Sequence, residues 1–166
     1  MHTGTGRITR LLMRPMSLFE SFDSNGEVSL KDLIEGKDIA ASSDLSIEDI
    51  AGVIVRGGWP ASLKIEGENK YRVAKDYVES LIKEDVNTLD GVERNPSRMR
   101  ALLKSLARNV STTVSSATIV EDVKNEFSEM SRPTLDDYLN TLEKLFVIEK
   151  VEATNLNIRS TIPLRV

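Results

Sequence analysis

Asn95-Pro96-Ser97-Arg98-Met99-Arg100-Ala101-Leu102-Leu103-Lys104-Ser105-Leu106-Ala107-Arg108 is the stretch from which the rest of the chain is read. Asn95-Pro96 marks a loop, and Met99, Leu102, Leu103, Leu106 and Val110 then recur at the spacing of one helical face. Arg100, Lys104 and Arg108 repeat every four residues on another side. Downstream, Ser115 and Ser116 precede a second helix from about Thr118 to Phe127. Ser131-Arg132-Pro133 leads into a third, whose core side is Leu135, Tyr138, Leu139 and Leu142. Phe146 to Val151 reads as a strand, and Ser160 to Leu164 as its return. Three helices followed by a hairpin is the order of a winged helix-turn-helix. The expected class is therefore mainly α with a small β component (α+β), a helical segment preceding the winged helix.

Upstream the elements are smaller. Ser17-Leu18-Phe19-Glu20 makes a helical turn, and Ser24-Asn25-Gly26 breaks it. Ser29 caps a second short helix ending near Gly36. Ser46 with Asp49 forms a capping box in which Asp replaces the usual Glu or Gln, ahead of Ile47, Ile50, Ala51 and Ile54 at helical spacing. Gly57-Gly58-Trp59-Pro60 ends that helix, with Trp59 read as a buried anchor in preference to a ligand-stacking ring. A longer amphipathic helix is expected from about Asn69 to Thr88, with Tyr71, Ala74, Val78 and Leu81 on one face. A domain boundary is expected near residue 93, where the charge changes sign.

The net charge of −4 over 166 residues conceals that pattern. Residues 1–14 carry +3, residues 15–93 carry −9, residues 94–110 carry +5 and residues 111–166 carry −3. With 40% hydrophobic and 29% charged residues the chain belongs among folded globular proteins. Having no cysteine, it forms no disulfide, thiolate zinc site or cysteine nucleophile, and a cytoplasmic setting is expected. The single histidine, His2, stands at the terminus and removes imidazole-based catalysis from consideration. No run approaches the roughly 18 apolar residues of a membrane span, so no membrane partner is expected. There is no G-x-x-x-x-G-K-[ST] loop; Gly36-Lys37 lacks the earlier glycine and is followed by Asp38. Adjacent acids such as Glu48/Asp49, Glu84/Asp85, Glu121/Asp122 and Asp136/Asp137 point about 100° apart on a helix and do not converge on a cation. Neither a metal nor any other cofactor is expected in this chain.

Two roles compete for the winged helix. Its recognition helix, the third of the three, exposes Asp136, Asp137, Asn140, Thr141, Glu143 and Lys144, a net of −2 that suits protein packing better than a polyanion. Against this, Arg94, Arg98, Arg100, Lys104 and Arg108 are candidate phosphate contacts, so DNA binding stands as the alternative. Arg7, following Gly4 and Gly6, is a further candidate for binding phosphate.

The string Gly6-Arg7-Ile8 through Met13-Arg14-Pro15-Met16-Ser17-Leu18-Phe19-Glu20 resembles the stretch after the sensor region in prokaryotic AAA-type ATP-binding proteins whose C-terminal half is a domain of unknown function. The likeness continues through Arg56-Gly57-Gly58-Trp59-Pro60, Ala74-Lys75-Asp76-Tyr77, Arg94-Asn95-Pro96, and Leu145-Phe146-Val147-Ile148. It implies an internal fragment of such a protein. Residues 1–22 would be the end of the ATPase module, 23–93 a helical linking or lid segment, and 94–166 the winged helix. Arg7 would be the arginine finger or sensor. ATP and magnesium would belong to the full-length family, since the P-loop and the acidic strand end that hold them are missing, and the chain would not hydrolyse ATP alone. The implied role is a helical relay and interaction region. Its partner would be the absent ATPase module or another protein, and exposed Leu11, Leu12, Met13 and Phe19 would favour self-association.

Overall fold

The computed structural model describes Thr9, residues 11–150 and the backbone of the strand Leu164–Arg165. The chain divides into two compact units, Met1–Tyr77 and Val78–Val166. Its secondary structure is mainly helical, with only two two-residue strands among the described residues.

The first unit contains α1 (Leu30–Ile34), capped by Ser29, and α2 (Ile47–Arg56). The Ser46 hydroxyl accepts from the Asp49 backbone N–H while the Asp49 carboxylate accepts from the Ser46 N–H, so both halves of the capping box form. Gly57, at φ 70°, ends α2, a conformation that costs glycine little. Two single turns, Pro60–Lys64 and Gly67–Tyr71, lead into α3 (Arg72–Ser80). Trp59 is half-buried, its ring 4.7 Å from that of Tyr77. The Met16 N–H donates to the Gly58 carbonyl at 2.9 Å and holds the entering chain against this turn.

The helix begun by α3 continues through a π-helical turn, Leu81–Asp85, and ends as α4 (Val86–Thr88). Leu81 and Ile82, neighbours in sequence, are both fully buried within the wider turn. The boundary expected near residue 93 does not coincide with the division of the chain, because Leu81, Ile82 and Val86 pack into the core of the second unit.

That core is built by α5 (Pro96–Arg108), α6 (Ser116–Glu126) and α7 (Arg132–Lys144). Each is started by a side chain that accepts a backbone N–H in the first turn: Asn95, Ser115 and Ser131. Met99, Leu102 and Leu106 from α5 meet Ile119 and Val123 from α6 and Leu135, Leu139 and Leu142 from α7. Val110, expected on the α5 face, lies beyond the helix end and is exposed. Thr141, expected on the outer side of α7, is buried, its hydroxyl donating to the Asp137 carbonyl.

The hairpin expected after α7 takes another form. Phe146 adopts φ 58°, its N–H donating to the Glu143 carbonyl, and the Val147 N–H donates to the Leu142 carbonyl. These bonds close the helix in a Schellman arrangement, and residues 146–150 form no strand. β1 (Thr113–Val114) pairs antiparallel with β2 (Leu164–Arg165). The remainder of the expected return, residues 160–163, lies outside the described residues.

Candidate functional site

The basic run of α5 is engaged within its own unit. Arg94 is 2% exposed, and all five of its guanidinium N–H groups have acceptors. Nε and one Nη2 proton reach Asp137 at 3.1 and 3.2 Å, the other Nη2 proton reaches Asp90 at 2.8 Å, and Nη1 serves Asp90 and the Val86 carbonyl. The guanidinium holds the Asp90 carboxyl far below the usual carboxylate range, helped by the Val92 N–H. Arg98 reaches Ser128 and the Glu129 carbonyl with Nη2 at 3.4 Å, and its Nε is buried without a hydrogen-bond partner. Arg100 forms a fork with Glu79 at 2.6 and 3.3 Å. Lys104 pairs with Glu126, and Arg108 stands 3.6 Å from Asp122, which also accepts from the Ser105 hydroxyl at 2.6 Å.

Only part of the run thus faces outward. Arg94 has no donor left for a phosphate, whereas Lys104 and Arg108 are exposed and their surface pairs hold weakly. The two are matched by Glu126 and Asp122, which leaves that patch without the positive excess that DNA affinity draws on. On α7, Asp136, Asp137, Asn140 and Lys144 are exposed and Glu143 is half-buried. Arg7 lies outside the described residues.

The first unit presents a different feature. Among the described residues, every buried hydrophobic side chain belongs to the second unit, while the buried residues of the first are Ser21, Arg56 and Ser62. Among the described residues, fifteen of the 21 exposed large hydrophobic side chains fall in the first unit, Leu11, Leu12, Met13 and Phe19 among them. α2 shows why. Its covered side carries Gly52, Val53 and Arg56, and Arg56 forks onto Asp23 at 2.7 and 3.4 Å. Gly52 lies where an added Cβ would sit 3.3 Å from the Tyr71 hydroxyl. With that side fixed inward by Arg56, Ile47, Ile50, Ala51, Ile54 and Val55 occupy an outward arc of about 140°. Ile47 is 82% exposed and Ile54 73%. A helix in a folded unit ordinarily buries its apolar arc, and each such isoleucine left in water forgoes about 1.5–3 kcal/mol. α1 repeats the pattern with Leu30, Leu33 and Ile34 exposed and Asp32 half-buried.

A cavity of about 210 Å³ on the covered side of α2 is lined by Asp23, Asp49, Arg56, Lys70 and Tyr71 among others. Two of its carboxylates are engaged: Arg56 holds the Asp23 carboxyl below its ordinary range, and Ser46 does the same to Asp49. No group of three or more His, Cys, Asp or Glu side chains converges on a metal position among the described residues. No helix among them is long and apolar enough to cross a membrane.

The outward isoleucines were legible as a helical pattern, but not their direction. The inward pull comes from the Asp23–Arg56 pair, formed across 33 residues of sequence, which no local spacing reveals.

No curated protein and no solved structure matches the chain. The resemblance to AAA-type ATP-binding proteins does not hold, because the family model that matches is of another family and brings no ATPase with it. The arginine-finger role for Arg7, and the ATP and magnesium implied for a longer protein, lose their basis with it. The match runs from residue 47 to residue 163, well over half of the sequence, and the chain belongs to the DUF8612 family, a domain of unknown function.

Proposed function

We propose that the chain is a helical protein-interaction module, with a winged-helix-like second unit as its folded base and the first unit as its docking element. The observation that carries this reading is α2, whose covered side is held by the Arg56–Asp23 pair and whose isoleucines face water. Patches of this kind mark binding sites in folded proteins, since isolated ones seldom leave large contiguous apolar areas uncovered. The order α5, β1, α6, α7, with β1 paired to residues 164–165, supports a winged-helix likeness. The inward Arg94 and the acid-matched Lys104 and Arg108 favour protein over DNA as its neighbour. The absence of cysteine suits a reducing cytoplasm.

A photoreactive residue at position 54 of the full chain, irradiated in cells, tests this. The expected result is a discrete protein adduct that Ile50→Asn abolishes, with no adduct from the same residue at position 140 on α7. A nucleic-acid adduct from position 140 would replace this reading with DNA recognition.

A further inference from the structure

Around the α2 arc the sequence is uniformly acidic. From Asp38 to Val55 it holds Asp38, Asp44, Glu48 and Asp49 and no basic residue. Asp44, just before the helix, and Glu48, which follows Val55 at the edge of the arc on the helical wheel, are both exposed, whereas Asp49 lies on the opposite side and lines the cavity with Arg56. Arg56, which closes the helix, is turned inward onto Asp23 and does not offset them. An apolar stripe with an acidic border is complementary to an apolar stripe with a basic border.

Resting on the docking reading above, we infer that the outward face of α2 receives a basic amphipathic helix of another protein. Its apolar residues, spaced three and four apart, would lie on Ile47, Ile50, Ile54 and Val55, with flanking Lys or Arg beside Glu48 and Asp44. Ala51, the smallest side chain on the arc, lets the two backbones approach at its centre. α2 is ten residues long, about 15 Å, which matches roughly three turns of a facing helix. A second copy of this chain fits less well, because residues 15–93 carry −9 and two such surfaces repel. An anionic membrane surface is disfavoured by the same charge.

The test uses the full chain and a synthetic 14-residue peptide with leucines on one helical face and lysines beside them. Two controls accompany it: a version with glutamate for every lysine, and a scrambled version. Fluorescence anisotropy should show saturable binding of the lysine peptide, at least tenfold weaker binding of both controls, and affinity that falls with salt. Ile50→Asn with Ile54→Asn should weaken binding at least tenfold with the circular dichroism spectrum unchanged. Asp44→Asn with Glu48→Gln should lower both the affinity and its salt slope.

Equal binding of the lysine and glutamate peptides, both lost in the isoleucine variant, would overturn the basic partner while leaving α2 as a docking face. Lysine-peptide binding indifferent to the isoleucine variant would overturn both. A dimer in sedimentation equilibrium that the isoleucine variant dissociates would assign the face to a second copy and overturn the basic partner.

Discussion

The Arg94 guanidinium and the Asp137 carboxylate, 43 residues apart in sequence, meet through two bonds, Nε to Oδ2 at 3.1 Å and Nη2 to Oδ1 at 3.2 Å. Through the same guanidinium, Asp90 and the Val86 carbonyl are tied to α7, so one buried cation joins the start of α4, the following loop and the last helix. Arg94→Ala should therefore destabilise the second unit by roughly 2–3 kcal/mol, less than a fully buried pair because both carboxylates keep contact with water. Urea unfolding checks this: the midpoint should fall with little change in slope, and Arg94→Lys should recover only part, lacking the planar fork.

Acid should act through the carboxylates of these pairs. Arg94 lowers Asp90, Arg100 lowers Glu79, Lys104 lowers Glu126 and Arg56 lowers Asp23, each by a hydrogen bond to the charged form. A folded-state pKa below the unfolded one gives stability that is full above the ordinary carboxylate range and lost as pH falls below about 4. The unfolding midpoint should be flat from pH 7 to 5 and drop below that range, and Asp90→Asn should lessen the drop. A midpoint that rises on acidification would contradict the pairs.

Gly58 lies where a Cβ would come within 2.7 Å of the Met16 carbonyl oxygen and 2.9 Å of its nitrogen, both backbone atoms that cannot swing aside. Gly58→Ala should break the Met16 to Gly58 hydrogen bond and free the segment before residue 17. Hydrogen exchange should show the Met16 amide losing protection in the variant while amides of α5 and α7 keep theirs.

Duplex DNA supplies a direct check on the basic run. Titration at low salt should show no saturable binding, and Lys104→Ala with Arg108→Ala should leave the signal unchanged. Salt-dependent binding whose slope falls by about one per removed cation would establish phosphate contacts despite the Glu126 and Asp122 pairs.

Much of the second unit was readable from local pattern. Ser115 and Ser131 announce their helices, Asn95, read as a loop residue, proves to cap the helix that follows, and Met99, Leu102, Leu106, Leu135 and Leu142 occupy the core that their spacing marks. The Ser46 and Asp49 box forms as the sequence indicates. The expected strand at Phe146 was lost to a competing local solution, since the chain uses residues 145–147 to satisfy the last carbonyls of α7. The candidate nucleic-acid residues were read from charge sign alone, and the acids that engage them come from elsewhere in the chain: Glu79, Asp122, Glu126 and Asp137.

Local sequence by itself determined the capped starts of helices such as those after Ser46, Ser115 and Ser131 and most of the positions that share a face, because caps and periodicity act within a few residues. Which way each face points, and whether a cation serves solvent or its own fold, was decided only by tertiary structure. Arg56 meets Asp23 and turns the α2 isoleucines outward, and Arg94 meets Asp137 and is withdrawn from the surface. Both are pairings at long sequence separation, settled by the geometry of the packed chain and not by any spacing along it.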